Sequence, residues 1–134
     1  MRYWLKLIGS AKRPIAEWQK DYVGFRKANK PSIRAGDRLF LYAPGGSRRI
    51  FALAEALGDP ELDSSYNPNE EGSCRWRLRV DYEINLPVDS GILIDEIVSH
   101  RKLTMSIRQA SHIRLHPEEI ESAHRALDER RAKQ

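Results

Sequence analysis

Cysteine is nearly missing from this 134-residue chain, with Cys74 the only one. A single thiol excludes an internal disulfide, a CxxC redox pair, an iron–sulfur cluster and any zinc site built on two or more thiolates. Long apolar runs are missing too: none reaches the roughly 18–20 residues needed to cross a bilayer, so no membrane partner is expected. The opening Met1-Arg2-Tyr3-Trp4-Leu5-Lys6-Leu7-Ile8 interrupts its apolar stretch with Lys6 and lacks a small-residue cleavage pattern. No signal peptide is expected, and a cytoplasmic location follows. Familiar catalytic signatures are absent as well. There is no His-Glu-x-x-His and no His-x-Glu paired with Pro-Cys-x-x-Cys, and Gly45-Gly46-Ser47 lacks the spacing and the lysine of a phosphate-binding loop. His112 and His116 stand four apart, but Pro117 and the alternation of Ile113 with Leu115 place them on an extended segment rather than at a metal site. Glu17 with Asp21 and Glu118 with Glu119 read as solvated charge on helices, so no acid–base pair stands out. Neither a catalytic residue, a metal nor a cofactor is expected.

What is present is the composition of a soluble globular protein: 31% charged residues, 40% hydrophobic, eight glycines and seven prolines. The length suits one domain over 1–134. The net charge of +4 hides a strong division. Residues 1–49 carry twelve basic and three acidic side chains, residues 50–99 three and eleven, and residues 100–134 eight and five. A basic first third fits a polyanionic partner, because neutralising phosphate releases counterions.

Tyr3, Leu5 and Leu7 alternate with Trp4, Lys6 and Ile8, the period of a strand with one face in the core. Pro14 followed by Ile15, Trp18, Tyr22 and Phe25 at three- and four-residue steps predicts a helix that Asn29-Lys30-Pro31 stops. Ala35-Gly36-Asp37 marks a turn, and Arg38–Ala43 with Arg49–Leu57 around Pro44-Gly45-Gly46-Ser47 reads as a hairpin. Gly58 to Ser73 is polar and without periodicity, a long exposed loop. From Arg75 to Ile84 ionic and apolar residues alternate without a break, the clearest strand signal in the chain. Leu93–Val98 suggests a short helix, Leu103–Leu115 one or two short strands around Arg108-Gln109-Ala110, and Pro117-Glu118-Glu119 the start of a closing helix whose tail holds Arg130, Arg131 and Lys133.

Aromatic residues are interleaved with cations at Tyr3, Trp4, Trp18, Tyr22, Phe25-Arg26-Lys27, Tyr42 and Arg75-Trp76-Arg77. Rings that stack on bases beside cations that hold phosphates are the pattern of a nucleic-acid binder. Trp4 and Tyr42 each lie opposite their strand's better apolar neighbours, which suits a pocket between layers. Trp18, Tyr22 and Phe25 at helical spacing, and Trp76 beside Leu78 and Val80, also suit a core.

In their order, Tyr3-Trp4-Leu5, Gly36-Asp37-Arg38-Leu39-Phe40-Leu41-Tyr42, Ile50 to Ala56, Arg75-Trp76-Arg77-Leu78-Arg79-Val80-Asp81, Leu103 to Met105 and Arg108 to Glu119 span nearly the whole chain. So arranged, they resemble the EVE domain family, a branch of the PUA-like superfamily that includes the YTH and ASCH modules. The resemblance implies an α+β fold: a small twisted PUA-like β-barrel of five to six strands with flanking helices and a concave pocket for a modified base. Gly9-Ser10-Ala11-Lys12-Arg13 and Phe25-Arg26-Lys27-Ala28-Asn29 depart from the family's usual segments at those points.

On this reading Trp4, Ser10, Trp18, Tyr22, Tyr42, Ala43, Pro44 and Trp76 contact the base. Lys12, Arg13, Arg26, Lys27, Arg34 and Arg108 hold the backbone of a DNA or RNA strand. A monomer is expected, with effector proteins as further partners. Two other readings stay open. One is an ASCH-like hydrolase of an amide or modified nucleoside, with Lys6 and either Glu17 or Asp37 as its pair; the other is a protein-interaction domain whose aromatics are all core.

Overall fold

The computed structural model describes residues 1–10, 12–46 and 48–133, so Ala11 of the segment after the first strand and Ser47 of the glycine loop lie outside the described residues. Residues alternating in the sequence form the strands β1 (Tyr3–Leu7), β3 (Arg38–Ala43), β4 (Arg49–Ala56) and β6 (Trp76–Asn85). On β6 the ionic positions Arg77, Arg79, Asp81 and Glu83 are exposed while Leu78, Val80 and Ile84 are buried. The strands β2 (Tyr22–Phe25), β5 (Glu61–Leu62), β7 (Ile92–Leu93) and β8 (His112–Arg114), and the helices α1 (Leu103–Ala110) and α2 (Pro117–Ala132), complete the fold. No helix is long and apolar enough to cross a membrane among the described residues.

The main strands run in the order β2-β6-β4-β3-β1-β8, with β5 beside β6 and β7 beside β4. β1 and β3 are parallel, and the other pairs are antiparallel. The sheet is strongly curled: Phe25 on β2 and His112 on β8, at opposite ends of the strand order, pack edge to face with centroids 5.1 Å apart. The result is an α+β half-barrel of about six strands with two helices.

Four sequence expectations give way here. The helix expected from Pro14 is an irregular segment followed by β2. Val23 and Phe25 point inward opposite Leu78 and Trp76, and Gly24 lies where a Cβ would fall 2.5 Å from the Cys74 sulfur. Tyr22, Val23 and Phe25 favour extended backbone and Gly24 disfavours helix. The preceding carbonyls find partners outside a helix: Ala16 accepts from the Val88 N–H, Trp18 from Asn85 and Lys20 from the Tyr82 hydroxyl.

The strands expected over Leu103–Leu115 are the helix α1 and only then β8. Leu103 and Ile107, four apart, give α1 its buried stripe, and Ser111 ends it in the left-handed region at φ 63°. The short helix expected over Leu93–Val98 reduces to a 3-10 turn at Ile94–Glu96 after β7.

β1 and β3 also bury both faces rather than one. Trp4, Leu39 and Leu41 join Val23, Phe25, Leu78 and Val80 inside the curl. Leu5, Phe40 and Tyr42 meet Leu103, Ile107, Leu115, Ala123 and Leu127 beneath the helices. A bulge where β4 meets β6 pairs Leu53 with Ile84 but Ala54 with Tyr82. Ile84 thereby joins the layer under the helices while Tyr82 packs against the other cluster.

Gly91, before β7, runs against β4 so closely that an added Cβ would collide with the Ile50 carbonyl oxygen and sit 3.0 Å from Phe51 Cα. Gly91→Ala is therefore expected to cost about 2 kcal/mol, a typical overpacking penalty, read as a lower urea midpoint. An unchanged midpoint would mean that β7 shifts off β4 freely.

Candidate functional site

The end of β1 is tied from both sides: Leu7 N–H donates to the Ser111 carbonyl at 2.8 Å and Ile8 N–H to the Tyr42 carbonyl at 2.8 Å. Beyond that tether lies an open cavity of about 950 Å³. Its wall takes Lys6 to Ser10 from the end of β1, Trp18 and Lys20 from the irregular segment, and Gly24, Arg26 and Lys27 from β2 and the residues after it. Tyr42, Pro44, Gly45 and Arg48 come from the hairpin, Gly72 and Cys74 from the residues before β6, and Thr104, Ile107, Arg108, Gln109 and Ser111 from α1 and its end.

Six of these residues are lysine or arginine (Lys6, Lys20, Arg26, Lys27, Arg48 and Arg108), and none is aspartate or glutamate. A concave surface lined by one sign of charge concentrates the opposite sign. The rings of Trp18 and Tyr42 supply apolar area on the same wall. Lys20 Nζ stands 5.0 Å from the Trp18 ring centroid. The Tyr42 phenol is pushed above its ordinary value by burial, against the opposing pull of Arg48 and Arg108, so it remains a neutral hydroxyl at physiological pH. Arg48 and Ser111, the two described non-glycine residues with positive φ, both lie on this wall.

Among the described residues Lys6 is the one buried charged residue on this wall, 5% exposed, with Nζ 4.6 Å from the Phe25 ring centroid. Burial lowers its pKa to about 8, the Cys74 sulfur opposing that shift and Arg26 reinforcing it. Next to it on β8, burial together with Lys6 and Lys27 lowers His112 to about 4, so the imidazole is neutral at pH 7.

Of the residues expected at a base, Ser10, Trp18, Tyr42 and Pro44 lie on the wall, and of those expected at a backbone, Arg26, Lys27 and Arg108 do. Ser10 is held there by accepting the Arg13 N–H at 3.1 Å. The others lie elsewhere. Trp4 is 7% exposed and gives its indole N–H to the buried Asp37 carboxylate at 3.0 Å. Asp37 also accepts the backbone N–H groups of Arg2 and Arg34. Burial alone would raise its pKa, and these three bonds, with the nearby N-terminal charge, bring it below the usual carboxylate range instead. Trp76 donates to the Ala28 carbonyl at 3.2 Å, away from the cavity, and like Trp18 packs half-buried against the inner core.

Tyr22 lies under the Arg77 guanidinium, 3.8 Å from its ring centroid, and Ala43 is buried inside the curl. Arg13 pairs with Glu71 at 2.9 Å, Lys12 is exposed, and Arg34 lies at shallower depressions beside Asp37 and Asp59. Neither Glu17 nor Asp37 lines the cavity with Lys6, so the lysine–carboxylate pair of a hydrolase is not assembled there. Sequence reasoning passed over Lys20 and Arg48, and offered Lys6 only as half of a hydrolase pair and not as a binding residue. The signal for Lys6 was a cation interrupting an otherwise apolar strand.

The chain matches no protein-family model and no curated protein sequence. Among solved structures it is similar to Rpa0253 from Rhodopseudomonas palustris, with 14% identity, a TM-score of 0.60 and coverage of 96% of this chain and 94% of that one. It is also similar to Atu2648 from Agrobacterium tumefaciens, with 18% identity, a TM-score of 0.57 and coverage of 94% and 93%. The TM-scores and coverage show a shared fold over nearly the full length of each chain, and at identities this low they show the fold alone.

Proposed function

We propose that this chain is a PUA-like module of the EVE type that binds single-stranded or locally opened nucleic acid by seating one unstacked base in the cavity. The observation that carries the reading is the wall itself, where the rings of Trp18 and Tyr42 stand among six cations and no carboxylate. Extruding a base costs a few kcal/mol of stacking, and an aromatic contact returns about 1–3 kcal/mol per base. Phosphates flanking the base meet Arg26, Lys27, Arg48 and Arg108, while Ser10, Thr104 and Gln109 offer uncharged polar groups to the base edge. The volume exceeds that of a single base, which leaves room for a substituent.

Trp18→Ala is expected to weaken oligonucleotide binding by about 10- to 100-fold, the loss of one stacked ring, in a protein whose far-UV circular dichroism and melting remain cooperative. Trp76→Phe, which removes only the indole outside the cavity, should bind as the parent does. Fluorescence anisotropy with labelled single- and double-stranded oligonucleotides, plain and base-modified, measures both. Equal affinity of folded Trp18→Ala and parent would remove the base from this cavity. Failure of the parent to bind any of them at low salt would reject the nucleic-acid reading and favour a protein-interaction role.

A further inference from the structure

Lysine is rarely buried without an anionic partner, because the ammonium loses its hydration and the interior returns little. Lys6 is 5% exposed, yet its ammonium makes no ion pair or hydrogen bond to protein among the described residues. Its surroundings leave most of the deficit in place, with the Cys74 sulfur offsetting part of it and Arg26 adding to it. β2 presents the Phe25 ring, with Arg26 and Lys27 following, and β8 presents the neutral imidazole of His112. The residues before β6 present the Cys74 thiol, and β3 places Leu41 opposite Lys6 with the Tyr42 phenol next in line. An aromatic face is a weak partner for a cation. The remaining side of Lys6 is the cavity.

We propose that Lys6 makes this cavity selective for a base carrying an anionic substituent, in the simplest case a carboxyl group, which completes the ion pair the protein leaves open. The inference rests on the nucleic-acid reading above and names the chemistry of its ligand. Water solvates Nζ while the cavity is empty. A base with a methyl group in that position displaces the water and leaves the ammonium unpartnered, a penalty that acts against the apolar competitor. A carboxylate displaces the same water and forms a charge-assisted pair where the dielectric is low. Because the free lysine titrates near 8, the selectivity is present at pH 6.5 and lost by pH 9.5, where Nζ is neutral.

The test compares single-stranded oligonucleotides that differ at one position, cytosine, 5-methylcytosine or 5-carboxycytosine, against the parent and Lys6→Met at pH 6.5 and 9.5. The expected result is at least 10-fold tighter binding of the carboxyl form by the parent at pH 6.5. That ratio falls to about one at pH 9.5 and in Lys6→Met, whose affinity for the methyl form is kept or improved. Binding of all three without a carboxyl preference, or a preference that survives in Lys6→Met, overturns the inference and leaves the nucleic-acid reading standing. Absence of all oligonucleotide binding rejects that reading instead. In that event a second measurement judges Lys6 alone: the parent, labelled with ¹³C at the lysine side chains, is titrated with pH in the presence and absence of benzoate. A rise of the Lys6 midpoint by a unit or more with benzoate supports an anion receptor, and an unchanged midpoint overturns it. This arm needs no variant to fold.

Discussion

Replacing Arg26, Lys27, Arg48 and Arg108 together by glutamine is expected to lower affinity for single-stranded oligonucleotides by about 100- to 1,000-fold at 50 mM salt. These four cations line the cavity around Trp18 and Tyr42. Among the described residues Arg48 alone of the four forms an ion pair, with Asp95 at 3.6 Å across an exposed surface, a pairing worth little. Each phosphate neutralised on a single strand contributes about 0.7 to the slope of log affinity against log salt. Four such contacts make the parent's affinity drop by about 50-fold between 50 and 200 mM salt, and the quadruple variant should be nearly insensitive over that range. Anisotropy titrations at three salt concentrations give the slope. A variant that keeps the parental slope would place the phosphates on other cations, such as the exposed Lys12 and Arg34.

Glu119→Ala is expected to destabilise the fold by about 3 kcal/mol, because it leaves Arg101 unpaired beside a partly buried site. Glu119 is fully buried at the first turn of α2. Its Oε1 accepts the His116 N–H and one Arg101 Nη2–H, each at 2.8 Å, and its Oε2 accepts Arg101 Nε–H at 2.9 Å and the Ser99 hydroxyl. One carboxylate thus caps α2 and fastens the segment that leads into α1. Burial by itself would raise the acid's pKa, but the bonds from Arg101, His116 and Ser99 and the Arg101 charge outweigh it and set the value at about 2.

A folded value below the ordinary 4.5 means that the stabilisation is complete above pH 4.5 and is lost as pH falls from there through about 2. Urea midpoints at pH 7 should separate Glu119→Ala from the parent widely, and at pH 2.5 the gap should narrow. A gap that stays constant with pH would mean that packing, not the ionised carboxylate, supplies the stability.

Where local pattern governs local structure, the fold was legible. The unbroken alternation from Arg75 to Ile84, the glycine loop between Arg38–Ala43 and Arg49–Ala56, and Pro117 ahead of two glutamates specify β6, the β3–β4 hairpin and α2, because period, turn chemistry and helix dipole act within a few residues. The same logic misread β2. Spacing of three and four between Ile15, Trp18, Tyr22 and Phe25 fits a helix, yet the partners that decide the matter, Leu78, Tyr82 and Asn85 on β6, lie more than fifty residues away. A long-range ladder overrode a local period.

The sequence by itself determined the chemistry available: a basic first third, aromatics among cations, one thiol and strands patterned for a layered core. The tertiary structure decided which of those groups share a surface. Trp4 is buried with its indole N–H on Asp37, and Trp76 is half-buried with its indole N–H on the Ala28 carbonyl. Trp18, Tyr42 and Lys6 line one cavity in a sheet curled far enough that the Phe25 and His112 rings, from β2 and β8, pack with centroids 5.1 Å apart. Closure of a sheet depends on the summed twist and bulges of six strands, and no short window of residues contains it.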